Sequence, residues 1–337
     1  MKEITIAGGG LSGLSLGITL RDRGVPVTIL EAGGYPRHRV CGEFVCGVSD
    51  ATLDALGIGE IRSLCRRNQE SIWVHQQRTI LKRKLPRIAW SLSRYEMDDW
   101  LQARFVKKGG DLKTHTRAKK EPRPGFVWAA GRCPSKHSPW IGLKCHLHYQ
   151  LTSELEMHLG EGGYVGLVEV EDGWVNICGL FKKNTLLKGR GVELMMTYLR
   201  EIGLNKLADQ LQIAEVRPGS FSAVAGFELG QQKEMSDLLV LGDAESMIPP
   251  FTGNGMSMAF EAAEQCIDPL VSYAKDGSAW DEVRAEVKLR LNQKFKTRLK
   301  TAGLCHPLLL SPTGQNALAG LSAARLLPFQ TLFALSH

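Results

Sequence analysis

Residues 2–17, KEITIAGGGLSGLSLG, decide the fold. Ile4, Ile6 and Ala7 make a short hydrophobic strand that runs into a glycine turn, where Gly8, Gly10 and Gly13 set out the spacing G-x-G-x-x-G and Gly17 follows four residues on. In such a turn the first glycine permits the sharp reversal and the second lets the backbone approach a pyrophosphate. The third lets the following helix lie close on the strand. A helix is expected from Leu14 to Arg23, with Leu14, Ile18 and Leu20 turned to a sheet and its N-terminal amides offered to phosphate. Gly24 ends it. A second strand over 25–30, VPVTIL, stops at Glu31, where an acidic side chain bonds a ribose 2′-hydroxyl. Strand, glycine turn, helix, strand and acid in this register imply dinucleotide binding, with an unphosphorylated ribose as in FAD or NAD.

A second segment lies near the other end of the chain. Residues 238–259, LLVLGDAESMIPPFTGNGMSMA, read as a strand, an acidic turn, a proline-glycine loop and a helix start. Its G-D-A, proline and G-x-G positions are Gly242, Asp243, Ala244, Pro250, Gly253 and Gly255. The segment resembles the second flavin signature of the family that contains p-hydroxybenzoate hydroxylase and geranylgeranyl reductase. That resemblance implies FAD as the dinucleotide. A carboxylate at a strand end, Asp243, suits ribityl hydroxyls, and Gly253 and Gly255 let the backbone approach the isoalloxazine ring. A helix starting near Met256 points its positive end at the part of the ring that gains negative charge on reduction.

Two smaller stretches agree. Residues 93–101, SRYEMDDWL, resemble the R-x-x-x-D-x-x-L helix of the family through Arg94, Asp98 and Leu101, which implies that Arg94 reaches the cofactor. Residues 35–44, YPRHRVCGEF, resemble the P-x-x-x-x-C-G-E segment of reductase-like relatives and make Arg39 the expected contact to the FAD phosphates or adenosine. Cys41 and Glu43 are the only candidates for a catalytic role, a thiol facing flavin or substrate and a proton source. The alternative is that they shape a turn.

The resemblance has gaps. The middle D-G motif of the hydroxylases, which touches FAD and the visiting NAD(P)H, would fall in residues 126–132, FVWAAGR, where Gly131 is present and the aspartate is not. The W-x-W-x-I-P signature of flavin-dependent halogenases is absent as well. Residues 140–149, 163–170 and 173–180 alternate as antiparallel strands and are expected to roof a substrate pocket. Which of Lys144, His146, His148, Trp174 and Asn176 face inward depends on register.

The 337 residues allow a large core, and 43% hydrophobic with 23% charged residues is ordinary globular composition. No apolar run is long enough for a bilayer, and the N-terminus lacks a signal-peptide pattern, so a cytoplasmic protein is expected. The eight cysteines form no C-x-x-C pair and read as reduced thiols. Cys145, His146 and His148 match no zinc spacing, so no metal is expected. A net charge of +7 suits an anionic partner, but no nucleic-acid motif accompanies it. From Val283 the apolar residues Val287, Leu291, Phe295 and Leu299 recur every fourth position among basic side chains. That stripe is either a helix covering the core or a face for peripheral membrane contact.

The expected architecture is α/β: a discontinuous Rossmann-type FAD domain of glutathione-reductase-like form (residues 1–70, 91–135 and 235–275), an antiparallel substrate sheet (71–90 and 136–234) and a helical C-terminal region (276–337). The resemblance implies an NAD(P)H-driven monooxygenase acting on a hydrophobic or carrier-bound small molecule, or a C=C double-bond reductase of the geranylgeranyl reductase type. A protein that binds FAD without turnover is the reading from another class.

Overall fold

A computed structural model of the chain describes residues 1–232 and 237–337, and the boundary expected between 234 and 235 lies outside them. Strands and helices are numbered in chain order. Strands β1 (Ile4–Ala7), β2 (Val27–Leu30), β6 (Asp111–Lys113), β7 (Phe126–Trp128) and β14 (Leu239–Val240) form one sheet in the order β14-β7-β1-β2-β6. Every neighbouring pair in it is parallel, with Ile4 opposite Val27 and Ala7 opposite Leu30. Ile4, Ile6, Ile29 and Val127 are fully buried, as strands covered on both faces require. Helix α1 (Leu11–Asp22) begins three residues before the expected start. It is buried all round from Leu11 to Leu20 because α3 (Arg94–Lys107) and α6 (Gly255–Ala274) also pack against it. The short α2 (Asp50–Ala55) joins the same layer, capped by the Ser49 hydroxyl.

The second sheet has eight strands, β3 (Phe44–Val45), β4 (Arg66–His75), β5 (Arg78–Ser91), β8 (Trp140–Leu147), β9 (Leu155–Gly160), β10 (Gly163–Glu169), β11 (Val175–Lys182) and β12 (Ser222–Ala225), ordered β12-β8-β11-β10-β9-β4-β5-β3. All pairs are antiparallel except β4 with β9. A separate ribbon pairs β13 (Gly230–Gln231) with β15 (Ser246–Met247). Period-two alternation divides the faces of the large sheet. Leu143, Cys145, Leu147, Val175 and Ile177 pack on Met195, Leu199, Leu207 and Leu211 of α4 (Val192–Glu201) and α5 (Asn205–Gln212). Lys144, His146, Asn176 and Cys178 take the opposite face, the one turned to the loops of the parallel sheet.

The C-terminal region is helical: α7 (Trp280–Leu310), α8 (Pro312–Ala323) and α9 (Phe329–Ser336). Val283, Val287, Leu291 and Phe295 are buried in the same core as α1 and α6. These residues of the apolar stripe are therefore core, taken out of water by packing against α6. Arg298 of α7 grips Glu261 of α6, which is 3% exposed, with Lys294 at 3.4 Å from the same carboxylate. No helix among the described residues is long and apolar enough to cross a membrane.

Candidate flavin and substrate site

The glycine turn leaves β1 and enters α1 under tight constraint. A Cβ on Gly13 would stand 2.0 Å from the Gly8 carbonyl oxygen, so only hydrogen fits between helix and strand. Beside Gly10, by contrast, nothing lies within 4 Å of a Cβ position, and that open space is where a cradle needs it. Glu31 closes the turn from the end of β2. Its carboxylate accepts from the Gly9 and Gly33 amides at 2.8 Å each and from Arg37 at 2.5 Å. Burial alone would raise its pKa, but the Gly33 amide and the Arg37 and Arg39 guanidinium groups outweigh burial and hold the carboxyl below its usual range. The residue stays ionised, with the Gly33 amide and Arg37 on one oxygen and the Gly9 amide on the other.

Two arginines converge on Asp98. Arg94 binds it through Nε and Nη2 at 2.7 and 2.8 Å, and Arg39 through Nε at 2.9 Å. Asp98 is fully buried and spends both oxygens on these groups. Arg94, expected to reach a cofactor, has the structural task of holding Asp98. Arg39 retains a buried Nη2 with no hydrogen-bond partner, 3.8 Å from Glu31. A buried unsatisfied guanidinium donor beside a glycine turn fits a phosphate oxygen. Asp243 is exposed and lies in the field of Arg94, Arg132 and Arg39. Arg132 follows Gly131 directly, in the segment where the hydroxylases carry their D-G motif.

Residues 41–47 tie this cluster to the second signature. The Cys46 amide donates to the Gly253 carbonyl at 3.4 Å, and the Ser257 hydroxyl donates to the Cys46 carbonyl at 2.6 Å. Gly253 has φ 66°, and a Cβ there would strike Phe44 at 2.6 Å. Pro250 opens a single 3-10 turn to Thr252, and α6 then starts at Gly255, with Met256 in its first turn. Asn254, the residue before α6, does not cap it. Its side chain instead donates to the Ser336 carbonyl at 3.0 Å and accepts from Arg298 at 3.3 Å. The first-turn amides of α6 are thereby left to an anionic or carbonyl group.

Against the same segment stands the polar face of the large sheet. Glu43, fully buried and in the left-handed region at φ 54°, is the hub. Its Oε1 accepts from the Arg94 amide at 2.9 Å and pairs with Lys144 at 3.1 Å, while its Oε2 meets His146 Nε2 at 2.6 Å. Lys144 also reaches His38 Nδ1 at 3.1 Å. Burial would push Glu43 up, but the His146 hydrogen bond and the Lys144 charge outweigh it and hold the carboxyl low. Burial and the Lys144 charge lower His38 to about 4, so its ring is neutral and Nδ1 accepts. His38, Glu43 and His146 offer three ligand atoms within 4.8 Å of one another, and the Lys144 ammonium already supplies the positive charge among them. Asn176 donates to the Cys41 carbonyl at 3.0 Å. Burial raises the Cys41 thiol, which argues against a free thiolate there.

Of the five side chains that register left open, Lys144 and His146 bind Glu43, and Asn176 reaches the Cys41 carbonyl on the same face. His148 is exposed and stacks on Trp174 at 3.7 Å, away from the cluster. Cys145 points to the opposite face, into the apolar core of α4 and α5. The residues that sequence reasoning missed are His38 and Arg132. The signal for Arg132 was its place directly after Gly131, and nothing local marked His38.

A parallel sheet opening on a glycine turn closed by Glu31, walled by a large mainly antiparallel sheet, defines the Rossmann-type, glutathione-reductase-like flavoprotein fold in its hydroxylase form. Among solved structures, the chain is similar to PqsL, a probable FAD-dependent monooxygenase from Pseudomonas aeruginosa (TM-score 0.72, 14% identity, 94% of this chain and 99% of the other covered). It is similar as well to a geranylgeranyl bacteriochlorophyll reductase-like protein from Thermoplasma acidophilum (TM-score 0.77, 15% identity, 99% and 95% covered). A third is p-nitrophenol 4-monooxygenase PnpA from Pseudomonas putida DLL-E4 (TM-score 0.74, 14% identity, 99% of both covered). No protein-family model matches the chain, and no curated sequence resembles it significantly.

Proposed function

We propose that this chain is an FAD-dependent oxidoreductase, driven by NAD(P)H and acting as a monooxygenase on a hydrophobic or carrier-bound small molecule. The observation that carries the reading is the buried Arg39 Nη2, which has no hydrogen-bond partner and stands 3.8 Å from Glu31, beside the Arg94–Asp98 pair and the open glycine turn. Gly8, Gly10, Gly13 and Glu31 would hold the adenosine half of FAD, with Arg39 on the phosphates. Asp243 would hold the ribityl chain, and the loop from Pro250 through Gly253 and Gly255 to Met256 would hold the ring. Bound FAD supplies hydride exchange and, once reduced, reaction with oxygen. The chain's own part is to place the ring between residues 41–47 and 250–257 and to wall it with the polar sheet face.

A second reading, reduction of a C=C double bond, is favoured by Ala130 standing before Gly131, where the D-G motif of the hydroxylases carries its aspartate, and by the Cys41-Gly42-Glu43 segment. The test is anaerobic mixing of the FAD-loaded protein with NADPH or NADH, followed by air. Rapid bleaching and fast reoxidation with oxygen uptake support the monooxygenase. Slow bleaching, or reduction only by another donor, with little oxygen uptake supports the reductase. FAD binding with no reduction by any physiological donor leaves the non-catalytic binder.

A further inference from the structure

On the sheet wall, hydrogen-bond direction can be followed atom by atom. His38 Nδ1, on a neutral ring, accepts from Lys144, which also donates to Glu43 Oε1. Glu43 is ionised and acceptor-only, so His146 must donate to Oε2 from Nε2–H. A neutral imidazole that donates from Nε2 accepts at Nδ1, and His146 Nδ1 is buried with no partner. Asn176 spends its amide N–H on the Cys41 carbonyl, and its Oδ1 is likewise buried with no partner. His146 and Asn176 are direct cross-strand partners on β8 and β11, facing the same side, which puts their Cβ atoms about 5 Å apart. Two buried polar atoms on directly paired residues, both without a partner, are costly to leave unmet.

We propose that His146 Nδ1 and Asn176 Oδ1 form a substrate subsite for a hydrogen-bond donor, a hydroxyl or amino group on an otherwise apolar molecule. The proposal rests on the flavoenzyme reading only for the identity of the neighbouring cofactor. Glu43, kept ionised by Lys144, fixes the His146 tautomer and is a positioning residue. Cys41, whose carbonyl Asn176 holds, is half-buried, and Gly42 beside it is exposed. The surrounding wall supplies apolar contact through Val168 of β10 and Phe44 of β3.

The test uses three probes of one shape: 4-nitrophenol, 4-nitroaniline and nitrobenzene, which carries no donor. Dissociation constants are read from the flavin spectrum, or from tryptophan fluorescence if the protein proves colourless. FAD content is measured on the same samples, so a colourless wild type counts against the cofactor reading alone. One or both donor probes are expected to bind more tightly than nitrobenzene, and which of them does so tells hydroxyl from amine. Asn176→Leu should weaken the donor probe roughly three- to tenfold and leave nitrobenzene unchanged. His146→Phe should do the same, and serves if the first variant does not fold. Equal binding of all three probes, or equal losses for donor and non-donor probes in the variants, would overturn the proposal and assign the two acceptors to a resident water. So would failure of both donor probes to saturate.

Discussion

Arg39 is the residue on which the cofactor reading can be tested by subtraction. Its Nε is committed to Asp98, while its Nη2 has no hydrogen-bond partner. Arg39→Ala should raise the Kd for FAD roughly ten- to hundredfold, the loss expected for one charge-assisted hydrogen bond. Titration of the apoprotein with FAD, followed by flavin fluorescence quenching, measures this. Gly13 tests the turn itself. A methyl group there meets backbone and not a movable side chain, since the nearest atom is the Gly8 carbonyl oxygen at 2.0 Å. Gly13→Ala should cost about 1–3 kcal/mol of stability and abolish FAD binding, seen as a lower midpoint in urea and a colourless preparation. The glycines and Glu31 are legible in the sequence, because the G-x-G-x-x-G spacing and the acid that follows it act within one βαβ unit. His38 is not. Its contacts are Lys144, Tyr95 and His146, and sequence spacing carries no trace of a pairing across more than a hundred residues.

At the scale of elements, the same contrast explains the sheet wall. Alternation in residues 140–149 identifies a strand, but a one-residue change of register would turn Lys144 and His146 away and bring Cys145 in. The pairing of β8 with both β11 and β12 settles which face is which, and only tertiary structure supplies it. The α7 stripe is readable as an amphipathic helix, although its partner is not. That partner is α6, held by Arg298 on buried Glu261. Arg298→Met should cost about 2–4 kcal/mol in urea unfolding, somewhat less than a full buried-pair break because Lys294 stays near the carboxylate. Adding Glu261→Gln to the same chain should recover most of the loss. If the double variant is no better than the single, the pair is not what joins the helices.

For the whole molecule, the titrating groups foretell two stages of acid loss. Burial lowers His306 to about 4, and it lowers His38 and His337 to about 4 as well, against an ordinary value of 6.5. The folded state resists protonating them, so their contribution is complete above about pH 6.5 and disappears as pH falls towards 4. Glu31 and Glu43 are held below 4.5, so their share is lost only at lower pH. Thermal midpoints recorded across this range should fall between pH 6.5 and 4, and His306→Gln should flatten that fall by less than ~1.4 kcal/mol per pH unit. An unchanged slope would show that His306 is not kept neutral by folding. The two halves of the molecule meet at residues 41–47, which touch the glycine-turn cluster, the loop before α6 and the polar sheet face. The central claim is that this junction holds FAD for redox chemistry. The most direct measurement is the visible spectrum of the purified protein after incubation with FAD and gel filtration, repeated anaerobically with NADPH or NADH. A yellow protein retaining one FAD per chain is expected, its colour bleaching on addition of the nicotinamide and returning with air. A folded protein that stays colourless and shows no saturable FAD binding would contradict it.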